Sequence, residues 1–359
     1  MFSCDDYDQD VFVDRPAALA KMRAWADTAA VERRVMPLVA PPGGGKSWIL
    51  KNLEQGWNSA GDRFVVYMDV PSLVDLDKNG SALIKMDGLE KWLQEVEAAA
   101  AQRYSIQSIS RVPQLQAILS EFARLICDCN PVKDPIILVD GYDELSEAQA
   151  EVFSSQILKP LHERDCIRLI IAHRPECNVK GDSLRTNQHD PKLFLHELDP
   201  LSPKFALDQF KRLFQKARPR QTPPELSAWM TELKHYKWNH PLANCFFFKL
   251  GMNSSWAKLT GQDLKDGCKR IIERPDNTGR LRFPLHDDGF KMLHRIANEL
   301  PDQWSQDPFQ ETLNIPNMNI DATYQALYKV GAIIISPDIP PFYQICDGLR
   351  DLLREFELP

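Results

Sequence analysis

Residues 40–47 read Ala-Pro-Pro-Gly-Gly-Gly-Lys-Ser, directly after an apolar run and directly before a helical pattern. Three consecutive glycines let the backbone curl so that successive N–H groups turn toward a common point. The helix that follows adds unpaired N–H donors and the positive end of its dipole to that point. A strand, a glycine-rich loop and a helix in this order make a phosphate cradle. Pro42, Gly43, Gly44 and Gly45 form its loop, Lys46 is placed to reach β- and γ-phosphates, and the Ser47 hydroxyl is placed to ligate Mg²⁺. Trp48, next on the helix, completes this group of binding candidates. The strict pattern opens on glycine, and the Ala40 that stands there needs a backbone with negative φ.

The cradle goes with an alternating fold. Short apolar runs at 35–40, 64–69, 135–140, 167–172 and 193–198 alternate with helical patterns beginning near Lys46, Ser81, Pro113 and Ser146. Strands apolar on both faces are covered by helices on both sides, so the pattern predicts an α/β fold with a parallel five-stranded sheet. After residue 198 the alternation stops, and helical stretches follow at 203–217, 223–237, 241–252 and 261–274. Arg-Pro-Arg-Gln-Thr-Pro-Pro at 218–224 breaks the first from the second, because its prolines cannot continue a helix. Further on come helices at 286–299 and 320–330, strands at 332–336 and 342–345, and a last helix to 356, the order of a winged helix. The expected division is a nucleotide-binding domain at 1–200, a helical lid at 201–278 and a winged-helix domain at 279–359.

A second cluster carries chemistry. Ile-Ile-Leu-Val-Asp-Gly-Tyr-Asp-Glu at 136–144 ends a buried strand in carboxylates. A carboxylate at a strand tip beside a phosphate cradle suits Mg²⁺, and Asp140 takes that role. Asp143 and Glu144 are candidates to orient or deprotonate an attacking water, although an acidic turn also caps helices, a task that Ser146 or Asp143 would serve. The next strand ends in His173-Arg174-Pro175; Arg174 is placed to face a γ-phosphate, and His173 reads as a local hydrogen-bonding group.

Composition removes other classes. A formal net charge of −7 argues against a general polyanion binder, so any nucleic-acid contact needs a local patch. The acidic first residues lack the pattern of a secretory leader, and no run approaches the roughly 18 apolar residues of a membrane span. The expected setting is therefore cytoplasmic, without a membrane partner. The eight cysteines show no CxxC spacing and read as free thiols, and the histidines are scattered, so no zinc site is expected.

Together these motifs resemble the STAND class of P-loop ATPases, which includes the NACHT and NB-ARC switch modules and is related to AAA+ proteins. The resemblance is carried best by Asp140-Gly-Tyr-Asp143-Glu144, in which a small residue separates the strand-ending Asp from two acidic positions. His173-Arg174-Pro175 is similar to an Arg-Pro sensor, and 197–202 is similar to the segment that enters a helical lid. Phe12-Val13-Asp14-Arg15 resembles the N-terminal segment folded over adenine, with Asp14 where Gly is usual. Asn239-His240-Pro241-Leu242 resembles the lid motif whose proline packs on the base, and 345–351 resembles a Met-His-Asp motif, with Cys346 in place of the His and Asp347 retained.

The resemblance implies ATP or ADP with Mg²⁺ as cofactors, slow regulated hydrolysis, and a switch that controls oligomerisation or effector activation in signalling or defence. It implies a partner as well, either further copies of this chain or a separate effector or sensor. The alternative is an AAA+-like, DNA-associated ATPase, of transposition-adaptor or initiator type, that uses its winged helix on DNA. In its favour the stretch 204–220 holds Lys204, Lys211, Arg212, Lys216, Arg218 and Arg220 against Asp208, a local charge of 6 − 1 = +5. The acidic last helix argues against it, as does the overall charge.

Overall fold

The computed structural model describes residues 7–13, 15–27, 34–40, 44–61, 63–102, 115–128, 133–164, 166–173, 198, 201–218, 245, 248, 251–252, 287–305, 319–320, 323, 327, 333–335, 343–345 and 349–354. Four of the expected strands, β1 (Val35–Val39), β2 (Val65–Asp69), β5 (Ile136–Asp140) and β6 (Arg168–His173), form one parallel sheet ordered β1–β6–β5–β2. The register pairs Val39 with His173 and Asp69 with Asp140, so the strands deliver their carboxyl ends to one edge. Of the expected fifth strand only Leu198 lies among the described residues. Its N–H donates to Val39 O at 2.6 Å, whereas the next N–H along β1, that of Ala40, points to His173 O. Leu198 therefore lies on the side of β1 opposite β6, where a further strand would extend the sheet.

Alternation along each strand divides the core in two. Val66, Met68, Ile137, Val139, Leu169 and Ile171 pack with α3 (Met86–Ala101), α4 (Leu115–Asp128) and α5 (Glu147–Phe153) on one face. Met36, Leu38, Val65, Ile136, Leu138, Ile170 and Ala172 pack with α1 (Pro16–Ala26) and α2 (Lys46–Ala60) on the other. This is why the strands read as continuous apolar runs.

Local chemistry sets the helix ends. Gly61 stops α2 in the left-handed conformation, at φ 71°. Ser146 and Gln149 close a reciprocal capping box at the start of α5. That helix runs through a π-turn (Ser154–Leu158) into α6 (Lys159–His162). Ser202 accepts from the Phe205 N–H ahead of α7 (Pro203–Ala217), whose first residue is a proline.

Two expectations are corrected. The helix expected to begin near Ser81 begins only at Met86, as α3, because 82–84 is a strand, β4 (Ala82–Ile84), paired antiparallel with β3 (Val74–Leu76). The reason is a turn: the Asp77 carboxylate accepts from the N–H groups of Asn79 and Ser81, both at 2.8 Å, and Gly80 sits at φ 80°. The free-thiol reading fails for Cys127 on α4 and Cys166 before β6, which form a disulfide with their Cα atoms 6.0 Å apart. Cys245 is buried.

Toward the C-terminus, α8 (Asp287–Glu299), an antiparallel hairpin of β7 (Ile333–Ile335) and β8 (Tyr343–Ile345), and α9 (Leu349–Arg354) follow in the predicted order. Arg350 on α9 donates to the carbonyls of Ile296, Leu300 and Pro301, which ties α9 to the C-terminal end of α8. Of the expected helix at 320–330 only 320, 323 and 327 are described, and the lid stretches 223–237 and 261–274 lie outside the described residues. No helix among the described residues is long and apolar enough to cross a membrane.

Candidate functional site: the carboxyl edge of the sheet

The site lies where β1, β5 and β6 end, the edge at which open α/β sheets bind ligands. Gly45 occupies the left-handed region at φ 94° and is the N-cap of α2, with no side chain capping that helix. The first N–H groups of α2, those of Lys46, Ser47 and Trp48, thus meet no capping side chain from Gly45, which is the donor set an oxyanion needs. Ser47 is exposed in that first turn. Pro42 and Gly43 lie outside the described residues.

Lys46 is buried, with 8% of its surface accessible. Its Nζ donates to Ala40 O at 2.8 Å and lies 3.2 Å from Asp143 Oδ2. Sequence reasoning placed Asp143 toward water; the structure places it on Lys46 and buries it comparably. A buried ammonium needs such a partner, because an unpaired charge there is expensive.

Asp143 reaches this position through the turn before it. Gly141 adopts φ 75°, and Tyr142–Glu144 then forms a 3-10 turn in which Glu144 N–H donates to Gly141 O at 3.0 Å. Tyr142 anchors the turn by sharing a hydrogen bond with Ser154 Oγ at 2.9 Å. A Cβ at Gly141 would stand 2.6 Å from Cδ of Pro71. The small residue that marks this motif in sequence is therefore required by two separate constraints, the dihedral and the neighbour. Glu144 is half-buried at the exit of the turn, and Ser146, rather than Asp143, caps the following helix.

Asp140 is buried at the tip of β5. Its Oδ1 accepts the Gly141 N–H at 3.0 Å and its Oδ2 accepts the Tyr67 hydroxyl at 2.6 Å. Burial first, and then the Asp140 charge, push the Tyr67 phenol far above its ordinary range, so it stays a protonated donor. Tyr67 was not among the residues singled out from the sequence. The available signal was a polar aromatic two positions before the end of an apolar strand, and its partner depends on strand register.

The N-terminal segment closes the site from another side. Arg15 donates to Gly44 O at 2.8 Å, which ties the segment to the cradle. Tyr7 meets Trp48 edge to face at 5.8 Å between ring centroids and accepts from Asn52. Phe12 and Val13 are buried, the latter against Leu201, Phe205 and Ala206. From α7, Arg212 donates to Phe12 O at 2.7 Å, and Lys216 pairs with Asp8 and Asp10. Two of the six basic residues counted as a patch are thereby engaged by the chain itself.

His173 is buried, and its backbone carbonyl accepts from Ala40. Arg174, Pro241, Cys346 and Asp347 lie outside the described residues.

Lys46 and Ser47 on the first turn of α2 and Asp140 at the tip of β5 are a cation, an alcohol and a carboxylate, the group types that suit a magnesium–phosphate group. The buried Lys46 and the uncapped helix start are the observations that favour it.

No family model matches this chain, and no curated protein matches it in sequence. Solved structures do match. A Walker-type ATPase of Pyrococcus abyssi is 15% identical, with 98% of this chain and all of that one covered at a TM-score of 0.59. The RuvB Holliday junction branch migration motor of Thermotoga maritima is 13% identical over 99% of both chains, at a TM-score of 0.41. Cdc6p of Pyrobaculum aerophilum is 12% identical over 97% of this chain and 98% of that one, at 0.39. The first likeness establishes the fold of a Walker-type P-loop ATPase; the other two overlap too weakly to carry an argument.

Gly141→Ala tests the geometry of the acidic turn. Forcing a side chain into the left-handed region costs about 1–2 kcal/mol, before any shift of Pro71. Urea unfolding of the variant should show a loss of at least that size, and wild-type stability would contradict the geometry.

Proposed function

We propose that this chain binds ATP and ADP with Mg²⁺ and hydrolyses ATP slowly, its nucleotide state setting how a helical lid (201–278) and a winged-helix region (279–359) sit on a nucleotide-binding domain (1–200). The observation that carries the reading is the buried Lys46, held at the mouth of an uncapped helix between Ala40 O and Asp143. A lysine so placed exchanges its carboxylate partner for phosphate oxygens at little cost in desolvation. Ser47 and Asp140 are the metal-holding residues. Mg²⁺ held there would supply positive charge against the charge that develops on the phosphate oxygens.

Phosphoryl transfer asks the protein mainly for position and charge. In this proposal Glu144 and Asp143 orient the attacking water, and Arg174 faces the γ-phosphate. Phe12, Val13 and Trp48 flank the base, with Pro241 and Asp347 contributing from the later domains. An arginine finger supplied by a neighbour is worth about 10³–10⁵ in rate. With Arg174 as its single assigned cation besides Lys46, the isolated chain turns over slowly and accelerates on assembly.

Two outputs are compatible with that cycle. The STAND-type output is a switch that drives oligomerisation or engages a separate effector, in signalling or defence. It is supported by the N-terminal segment, which touches the cradle through Arg15 and α7 through Arg212 and Lys216, so a change at the cradle has a route to the lid. The DNA-associated output draws on the basic stretch of α7. The structural matches at TM-scores of 0.41 and 0.39 carry no argument for either output. The output rests on this chain's own residues, and Arg212 and Lys216 are already committed.

Lys46→Ala should abolish the thermal stabilisation that wild type gains from ATP or ADP; a full shift in the variant removes Lys46 from the site. Glu144→Gln should bind ATP but release no phosphate, and wild-type turnover removes Glu144 from water positioning. For the output, mass photometry with a non-hydrolysable ATP analogue, with and without duplex DNA, separates the two. Assembly without DNA supports the switch, and assembly only with DNA supports the alternative.

A further inference from the structure

The Asp140 carboxylate is held on both oxygens. Oδ1 takes the Gly141 N–H at 3.0 Å and Oδ2 takes the Tyr67 hydroxyl at 2.6 Å. A carboxylate has about four lone-pair sites, so each oxygen is fixed by one hydrogen bond and keeps capacity for a further partner. The two bonds come from different elements: the turn after β5 sets one oxygen and the neighbouring strand β2 sets the other. Rotation of the carboxylate would break at least one of them.

Tyr67 is itself fixed from two directions. Lys51 Nζ lies 3.2 Å from the centroid of its ring, and the same ammonium pairs with Glu54 at 3.2 Å. The Trp92 indole N–H donates to the Tyr67 backbone carbonyl at 2.8 Å. Lys51 stands four residues beyond Ser47, on the same side of α2. The sequence of contacts from α2 through Lys51 and Tyr67 to Asp140 therefore links the helix that carries Ser47 to the strand that carries Asp140. No motif in the chain marks this connection; it arises because β2 pairs with β5 in the register that sets Tyr67 opposite Leu138, two residues before Asp140.

We infer that Tyr67 is a positioning residue that holds the Asp140 carboxylate in the orientation that accepts the nucleotide's Mg²⁺, with Lys51 bracing its ring against the cradle helix. The inference rests on the magnesium–nucleotide reading above and adds a residue to it. Hydrogen-bond partners of ligating groups typically set metal affinity by 10–100-fold, because they fix ligand orientation before the metal arrives. A ring present only for packing would have no use for its hydroxyl, so the substitution that separates the two roles is Tyr67→Phe. It keeps the ring, the Lys51 contact and the backbone carbonyl that Trp92 uses, and it deletes only the donor to Oδ2.

The test is equilibrium binding of ADP, followed by calorimetry, to wild type and Tyr67→Phe, in EDTA and across a Mg²⁺ titration. The expected result is ADP affinity in EDTA within about twofold of wild type, with the Mg²⁺ concentration for half-maximal enhancement raised about 10–100-fold. An unchanged Mg²⁺ dependence in the variant would overturn the inference. So would an equal loss of ADP affinity with and without Mg²⁺, which marks a structural role. Wild-type protein that binds no ADP under either condition would instead overturn the nucleotide reading itself, and the Tyr67 role with it.

Discussion

A buried ion pair between Lys46 and Asp143 joins the loop after β1 to the turn after β5. Both partners are almost inaccessible, so each charge needs a compensating group beside it, and leaving one buried alone typically costs about 3–5 kcal/mol. Several features follow from this contact. Ala40 must present its carbonyl to the same ammonium, which fixes the end of β1. Gly141 must turn the chain through the left-handed region so that Asp143 faces inward, while Asp140, three residues earlier, stays at the strand tip. The strand order then brings these pieces to one edge, since β6 lies between β1 and β5 and all three run parallel. The arrangement suits a site that exchanges one anionic partner for another, because the protein has already met the cost of burying the lysine.

The N-terminal segment gives that edge a mechanical connection. It contacts the cradle through Arg15, packs Phe12 on the sheet core and Val13 against the start of α7, and offers Asp8 and Asp10 to Lys216. Exposed ion pairs of this kind contribute little to stability, with a median near 0–1 kcal/mol. Their worth is geometric, in that a weak polar tie between the N-terminal segment and α7 is the sort of contact whose balance a ligand can shift.

The parts of this architecture that were legible in the sequence share a local cause. Three glycines before Lys46-Ser47, apolar runs covered on both faces and the Ser146 cap are all fixed by neighbours within a few residues. Gly141 belongs to the same group, since its left-handed turn is a property of the backbone. The misses are non-local or compete with a local signal. The hairpin at 74–84 was read as the start of a helix because the side-chain turn at Asp77 carries no apolar period. Tyr67 carried only a faint signal because its partner, Asp140, lies 73 positions away and is brought to it by the pairing of β2 with β5. The basic run of α7 read as DNA-directed because two of its partners, the Asp8 carboxylate on Lys216 and the Phe12 carbonyl on Arg212, lie 200 positions or more away. The pairing of Cys127 with Cys166, 39 positions apart, has the same origin, as it needs the fold of α4 against the sheet.

Calorimetric titration of the wild-type chain with ATP, in the presence and absence of Mg²⁺, tests the central claim most directly. The account predicts one saturable site per chain whose affinity rises when Mg²⁺ is present. Heats that never saturate in either condition, from folded protein, would contradict it, and the carboxyl edge of the sheet would need another ligand.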